Sequence, residues 1–199
     1  MSAGRVVLVI VFSYLLGAVP FGLLFSKLVM GEDVRSQGSG NIGATNVGRN
    51  YGWFAGILTF FLDYLKGAIP VLMVLYLYDG THLELVATLS GVATVIGHLY
   101  PIFLFFDGGK GVATSAGVFT ILTPVALAVA VLFFLFGLTS RYMAIASLSG
   151  ALALGLSAVV VYGLVEPGTV AAILLALLVV YSHRSNIVRL LQGEEHRLY

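Results

Sequence analysis

Three polar stretches interrupt an otherwise apolar chain, and each carries residue types suited to gripping anions. The first runs Ser39-Gly40-Asn41-Ile42-Gly43-Ala44-Thr45-Asn46-Val47-Gly48-Arg49. Its glycines let backbone N–H groups come close to a ligand, and successive N–H groups form a concave anion site. Ser39, Asn41, Thr45 and Asn46 add side-chain donors, and the Arg49 guanidinium can meet a phosphate with two parallel hydrogen bonds. The second stretch, residues 107–114, sets Gly108, Gly109 and Gly111 around Lys110, with Thr114 following. A helix is expected to start there, and its first turn favours anionic oxygens. The third, residues 182–195, places Asn186 three positions after His183, so both can share one helix face. An imidazole beside an amide and several cations can orient a hydroxyl or act as a base.

Several familiar chemistries are excluded. Gly38 to Gly43 formally matches a dinucleotide fingerprint, but no strand precedes it and no βαβ unit exists to use it. The lysine loop is not a Walker A motif: Gly111 follows Lys110, and position 104 is leucine. The chain has no cysteine, which removes disulfides, thiolate metal sites and a cysteinyl intermediate. The four histidines are scattered and no carboxylates pair at ligand spacing, so neither a metal nor a cofactor is expected. Asp63 and Lys66, three apart, read as an ion pair at the membrane interface. His98 reads as structural, and Arg141 as a topology anchor on the same side as the polar stretches.

The elements that position these stretches follow from composition. Of 199 residues, 59% are hydrophobic and 10% charged; a soluble domain carries about 25% charged residues. With a mean hydropathy of +1.04, the surplus apolar surface needs lipid. A net charge of +1 gives no reason to expect nucleic acid as a partner. The expected fold is an all-α, polytopic transmembrane helix bundle, a single domain over residues 1–199. About 20 apolar residues cross a bilayer as a helix, which makes residues 6–26 the first span. It reads as a span rather than a cleaved leader because the apolar run continues through Pro20-Phe21-Gly22-Leu23. Residues 51–78 read as a shallow interfacial helix followed by a span, and residues 85–106 as another span. Residues 111–140 would make about 45 Å of helix against a core of roughly 30 Å. They form either one kinked helix or two short spans meeting at Thr123-Pro124. Residues 142–165 and 168–182 complete six spans or seven.

Basic residues decide between the two counts. With seven spans and the N-terminus outside, Lys27, Arg35, Arg49, Lys66, Lys110, Arg141, Arg184, Arg189 and Arg197 are cytoplasmic and only Arg5 is outside. With six, the ten split evenly. The positive-inside rule selects seven, with a cytoplasmic C-terminus. All three polar stretches then end on one face and can converge on phosphate-bearing ligands, at least one of them with an acyl chain that shares the membrane.

At these residues the chain resembles the bacterial acyl-phosphate:glycerol-3-phosphate acyltransferases, the PlsY family. The stretches that carry the resemblance are Ser39-Gly40-Asn41 through Thr45-Asn46 to Arg49, and Gly97-His98 followed by Gly108 to Thr114. The last is Ser185-Asn186-Ile187 through Arg189-Leu190 to Gly193 and Glu195. No histidine has an aspartate five residues later, so the motif of the common acyl-CoA-using acyltransferases is absent. The resemblance implies acyl transfer from acyl phosphate to the 1-hydroxyl of sn-glycerol 3-phosphate at the cytoplasmic side of the bacterial inner membrane. Lysophosphatidic acid and inorganic phosphate would be the products. Expected catalytic residues are Lys110, His183, Asn186 and Ser39. Expected substrate contacts are Gly40, Asn41, Gly43, Thr45, Asn46, Arg49, Gly108, Gly109, Gly111, Thr114 and Arg141. The base is either His183 or the departing phosphate. The competing expectation is a transporter for an organic phosphate.

Overall fold

The computed structural model describes residues 3–198, and among them every regular element is helical. One compact unit ends at Val118 and a second begins at Phe119. The chain opens with α1 (Ala3–Gly17) and α2 (Phe21–Val29), bent 44° from each other. The break has a covalent cause: Pro20 has no N–H to donate, and it pushes Val19 out of the helical region. The uncharged stretch at 6–26 is therefore a broken pair of helices rather than one straight span. After it come a 3-10 turn (Val34–Ser36), α3 (Ala44–Tyr51) and α4 (Trp53–Leu77). Residues 53–77 make one continuous helix of 25 residues, about 37 Å long. The expected division into interfacial helix and span is thus corrected; the short separate helix, α3, lies before Gly52, whose φ of 91° reverses the chain. Next are α5 (Leu83–Leu99), a 3-10 turn (Ile102–Leu104) and α6 (Val112–Leu122). The second unit is built from α7 (Pro124–Leu138), α8 (Met143–Tyr162), α9 (Pro167–Ser182) and α10 (Arg184–Gln192). Residues 111–140 form two helices that break at Thr123, and Pro124 opens α7 where its missing N–H costs nothing.

Three helical stretches are long and apolar enough to cross a bilayer, Trp53–Leu77, Leu83–Leu104 and Met143–Tyr162. Counting the bent pairs α1–α2 and α9–α10 as one span each brings the number to five. This is a multi-pass membrane architecture. Large side chains such as Phe133, Phe136, Leu156 and Val160 are exposed on it, as lipid-facing residues must be.

Helices that have no hydrophobic drive toward each other in lipid associate through small residues and hydroxyl bonds. In the first unit the Ser13 and Ser90 hydroxyls bond at 2.8 Å, and Gly17 lies so close to the Thr94 carbonyl that a Cβ would overlap it. These contacts make α1 parallel to α5. Asp63 meets His98 while Val71 lies beside Gly91, so α4 runs antiparallel to α5. Gly67 against Thr114, with Val118 beside Gly91 next to Val71, aligns α6 with α4. The segments before α4 and before α6 therefore lie at the same end of this unit. In the second unit the Ser157 hydroxyl donates to the Ala126 carbonyl (3.2 Å) and Thr169 to Ala158 (3.3 Å). With Gly137 against Ala146 and Gly155 against Ala172, these make α7, α8 and α9 successively antiparallel.

One topology marker has to be withdrawn. Lys66 is 2% exposed inside α4, facing its own unit, so it reports no membrane side.

Candidate active site

The first polar stretch is shaped from within. Asn46 is 2% exposed, and its amide nitrogen donates to the carbonyls of Val34, Gln37 and Asn41 at 2.9–3.1 Å. Its oxygen accepts from the Ser39 N–H (2.9 Å) and the Asn50 amide (3.2 Å). Asn46 was expected to touch a ligand; its amide is instead spent on folding the loop, since buried polar groups must be satisfied. Asn41 is a second brace. Its oxygen takes the Gly43 N–H (2.9 Å), so that amide is not an anion donor. Its nitrogen reaches the Gly108 carbonyl (3.3 Å), fastening the first stretch to the second. Gly40 holds φ at +71°, and a loop that turns there leaves Ser39, Gly40, Thr45 and Arg49 exposed around its rim. At the entrance, Asp33 grips Arg35 through Nε (3.0 Å) and Nη2 (2.7 Å), with Lys27 at 3.4 Å. The Arg35 hydrogen bond holds the Asp33 carboxyl well below the usual carboxylate range.

The second stretch leans on the end of α5. The Gly109 N–H donates to the His98 carbonyl (3.1 Å), and a Cβ on Gly108 would overlap that same carbonyl. A Cβ on Gly109 would overlap His98 Nε2. These two glycines are thus demanded by close packing as much as by any ligand. Gly111, at φ +82°, turns the chain into α6. Lys110 is half-buried between them. Thr114 and Ser115, in the first turns of α6, are buried with hydroxyls that make no hydrogen bond.

Asp63 and Lys66 form the ion pair expected of them (2.8 Å), but with 4% and 2% side-chain exposure it lies in the interior, not at the interface. His98 Nδ1 lies 3.7 Å from the same carboxylate oxygen.

The third stretch belongs to the second unit. His183 sits where α9 meets α10, which bend by 52°, and its Nδ1 lies 2.8 Å from the Val179 carbonyl. A carbonyl only accepts, so Nδ1 carries a proton and, in the neutral ring, Nε2 is the acceptor. Asn186, one turn into α10, is 4% exposed and donates to Glu195 Oε1 (2.7 Å). Arg189 Nε donates to Glu195 Oε2 (2.8 Å). Glu195, named in the sequence only as part of the resemblance and given no role there, is the carboxylate that holds Asn186 and Arg189. The signal was the left-handed Gly193 (φ 74°), which ends α10 and folds the chain back over it. Arg141 lies at the same end of this unit. It occupies a left-handed turn (φ 67°), its carbonyl taking the Leu198 N–H (2.8 Å). Two of the three stretches are thus joined directly, and the third gathers with Arg141 in its own unit. Among the described residues no three His, Asp or Glu side chains gather as metal ligands would.

Comparison with known proteins gives a consistent result. A family model described as glycerol-3-phosphate acyltransferase matches residues 7–193. A glycerol-3-phosphate acyltransferase of an Anaeromyxobacter species is 45% identical, covering 93% of this chain and 92% of its own. One from Aquifex aeolicus is 42% identical, covering 97% and 99%. The crystal structure of PlsY, an integral membrane glycerol 3-phosphate acyltransferase, in its glycerol 3-phosphate form is also similar. It superposes with a TM-score of 0.89 at 41% identity, over 97% of this chain and 95% of that one. Its lysophosphatidic acid form gives 0.84 at 40% identity, with the same coverage.

Proposed function

The chain belongs to the glycerol-3-phosphate acyltransferase family, and we propose that it moves an acyl group from acyl phosphate to the 1-hydroxyl of sn-glycerol 3-phosphate. The hydroxyl oxygen attacks the acyl carbonyl carbon, the bond from that carbon to the phosphate oxygen breaks, and inorganic phosphate leaves. The product, 1-acyl-glycerol 3-phosphate, is the first intermediate of phospholipid synthesis. Acyl phosphate is a mixed anhydride and already activated, so no enzyme nucleophile is required. What the protein must supply is placement of two anions and stabilisation of the developing oxyanion.

The observation that carries this reading is the Asn41–Gly108 hydrogen bond, which fixes two anion-suited loops side by side. Lys110 and the Gly111 turn hold one phosphoryl group and offset charge in the transition state. Ser39, Gly40, Thr45 and Arg49 on the rim of the first loop hold the other, with Ser39 placed to serve the oxyanion. Thr114 lines the floor. His183 and Asn186 orient the acceptor hydroxyl, and Arg141 adds a cation. The proton passes to His183 Nε2 or to the departing phosphate.

The bundle crosses the membrane seven times, as α1–α2, α4, α5, α6, α7, α8 and α9. It is one functional domain, since the family match runs through the boundary between the two compact units. The N-terminus lies outside and the polar loops face the cytoplasm of a bacterial inner membrane. That assignment rests on Lys27, Arg35, Arg49, Lys110, Arg141, Arg184, Arg189 and Arg197 sharing one side. An organic-phosphate transporter would place its binding groups near the midplane between internal repeats, and the matched relatives are acyltransferases instead.

The test uses purified protein in detergent with palmitoyl phosphate and glycerol 3-phosphate. Stoichiometric release of phosphate and lysophosphatidic acid is expected, with palmitoyl-CoA inactive as donor. A folded protein that used palmitoyl-CoA, or that released no phosphate, would refute the assignment of the donor.

A further inference from the structure

The ion pair inside α4 does more than neutralise itself. Lys66 Nζ reaches out of its own helix to the Val19 carbonyl at 2.8 Å, and it lies 5.6 Å over the ring of Phe21. Val19 and Phe21 flank the break at Pro20, where the ladder of α1 stops. A carbonyl left unpaired inside a membrane protein is costly, and Lys66 supplies the missing donor. Asp63 balances the charge at 2.8 Å. The His98 ring, 4% exposed, lies 3.7 Å from the same Asp63 oxygen. The far edge of that ring abuts Gly109, so closely that a methyl group there would overlap Nε2. An unbroken line of contact therefore runs from the helix break, through Lys66, Asp63 and His98, to the residue beside Lys110.

The line has a second branch. Gly22, one residue past Phe21, presses on the Ile42 carbonyl with no room for a Cβ. The placement of α2, fixed by Lys66, thereby fixes the Ser39–Asn46 loop as well. Burying a charged pair is generally no more stabilising than packing apolar side chains of the same volume. Its presence here calls for a role beyond holding helices together. We infer that Asp63, Lys66 and His98 are positioning residues for acyl transfer: one buried network sets the Gly108–Lys110 loop and the Ser39–Asn46 loop at their working separation. This inference rests on the reading of both loops as the substrate site.

Kinetics on monodisperse protein in detergent test it, with palmitoyl phosphate and glycerol 3-phosphate as substrates. Gly109→Ala is expected to lower kcat at least tenfold by driving the loop away from His98. Adding His98→Ala, which removes the other side of the same contact, is expected to lower kcat less than twofold further. A merely structural histidine would add its own loss in full to that of Gly109→Ala. Independently, Asp63→Asn with Lys66→Met removes both charges at near-constant volume, so the chain need not fold around an unpaired ion. This variant is expected to keep a monodisperse profile and a melting temperature within a few degrees. Its kcat should fall at least tenfold, and Lys66→Arg alone should retain more activity than Lys66→Met alone.

Losses that multiply in the Gly109/His98 pair, or wild-type kcat in the doubly neutralised protein, overturn the inference. Lys110→Met separates this from failure of the underlying reading. If that variant turns over normally, the loop is not at the substrate and both fall; if it is inactive while the other results fail, only the positioning network does.

Discussion

Glu195 offers the sharpest quantitative test of the site in the second unit. Its carboxylate, 8% exposed, receives Asn186 at 2.7 Å and Arg189 at 2.8 Å. Glu195→Gln keeps the shape but removes the charge. The new amide can accept from one partner only by turning its own N–H groups toward the other. A charge-assisted hydrogen bond contributes about 1.5–3 kcal/mol. Arg189 is 31% exposed and partly screened, so most of that loss falls on Asn186, buried at 4%. If Asn186 must stay aligned for the acceptor hydroxyl, the aligned population falls by the same free energy. At 1.36 kcal/mol per decade this is roughly a 10- to 150-fold loss in kcat/KM. Phosphate release from palmitoyl phosphate measures it, and the same substitution in an Asn186→Ala background supplies the control. With its main partner already gone, Glu195→Gln should cost less than about threefold more, the remainder belonging to Arg189. Unchanged kcat/KM in the single variant, or fully multiplicative losses in the double, would refute the argument that Glu195 acts through Asn186.

Other expectations follow from the same geometry. His183→Gln should abolish the acid limb of the pH–rate profile; if the limb persists, the departing phosphate takes the proton and His183 only orients. Asp33, its pKa lowered by Arg35, contributes stability that is complete above the unfolded carboxylate's pKa of about 4 and fades as pH falls through the folded value. The gap in melting temperature between wild type and Asp33→Asn should therefore be constant above about pH 5 and shrink in acid; a gap that grows on acidification contradicts the pairing. Because the chain has no cysteine, single substitutions at Ser36 and Gln192 report topology cleanly. Both should react with an impermeant maleimide only from the cytoplasmic face, and labelling from opposite faces would dismantle the seven-span arrangement.

What the sequence could and could not reveal divides along physical lines. Helix content, membrane residence and the three polar stretches were legible because hydropathy and glycine-rich punctuation are local properties. The break at Thr123-Pro124 was open to reading for the same reason, since proline acts on its own backbone. The break at Pro20 was harder. Hydropathy runs unchanged across Pro20, so residues 6–26 read as a single span even though proline acts on its backbone there too, and nothing local shows that Lys66 takes the orphaned Val19 carbonyl. Lys66 was likewise assigned to the interface, because a charged residue on an apolar helix ordinarily seeks water.

Asn46 shows the other limit. Sequence reasoning assigns an amide in a glycine-rich loop to the ligand, because donors beside glycines suit anions. The structure spends both ends of that amide on the loop itself, and Asn41 is similarly occupied in tying Gly43 and Gly108 together. Anion affinity and loop rigidity draw on the same residue types, so composition alone cannot divide the labour. Geometry does so here: the asparagines that point inward build the cradle, while Ser39, Thr45 and Arg49 are left exposed at its rim. On that division Asn46→Ala should lower the melting temperature along with activity, whereas Arg49→Ala should leave melting unchanged and raise KM for a phosphorylated substrate. The reverse pattern would return Asn46 to the ligand and make Arg49 the scaffold.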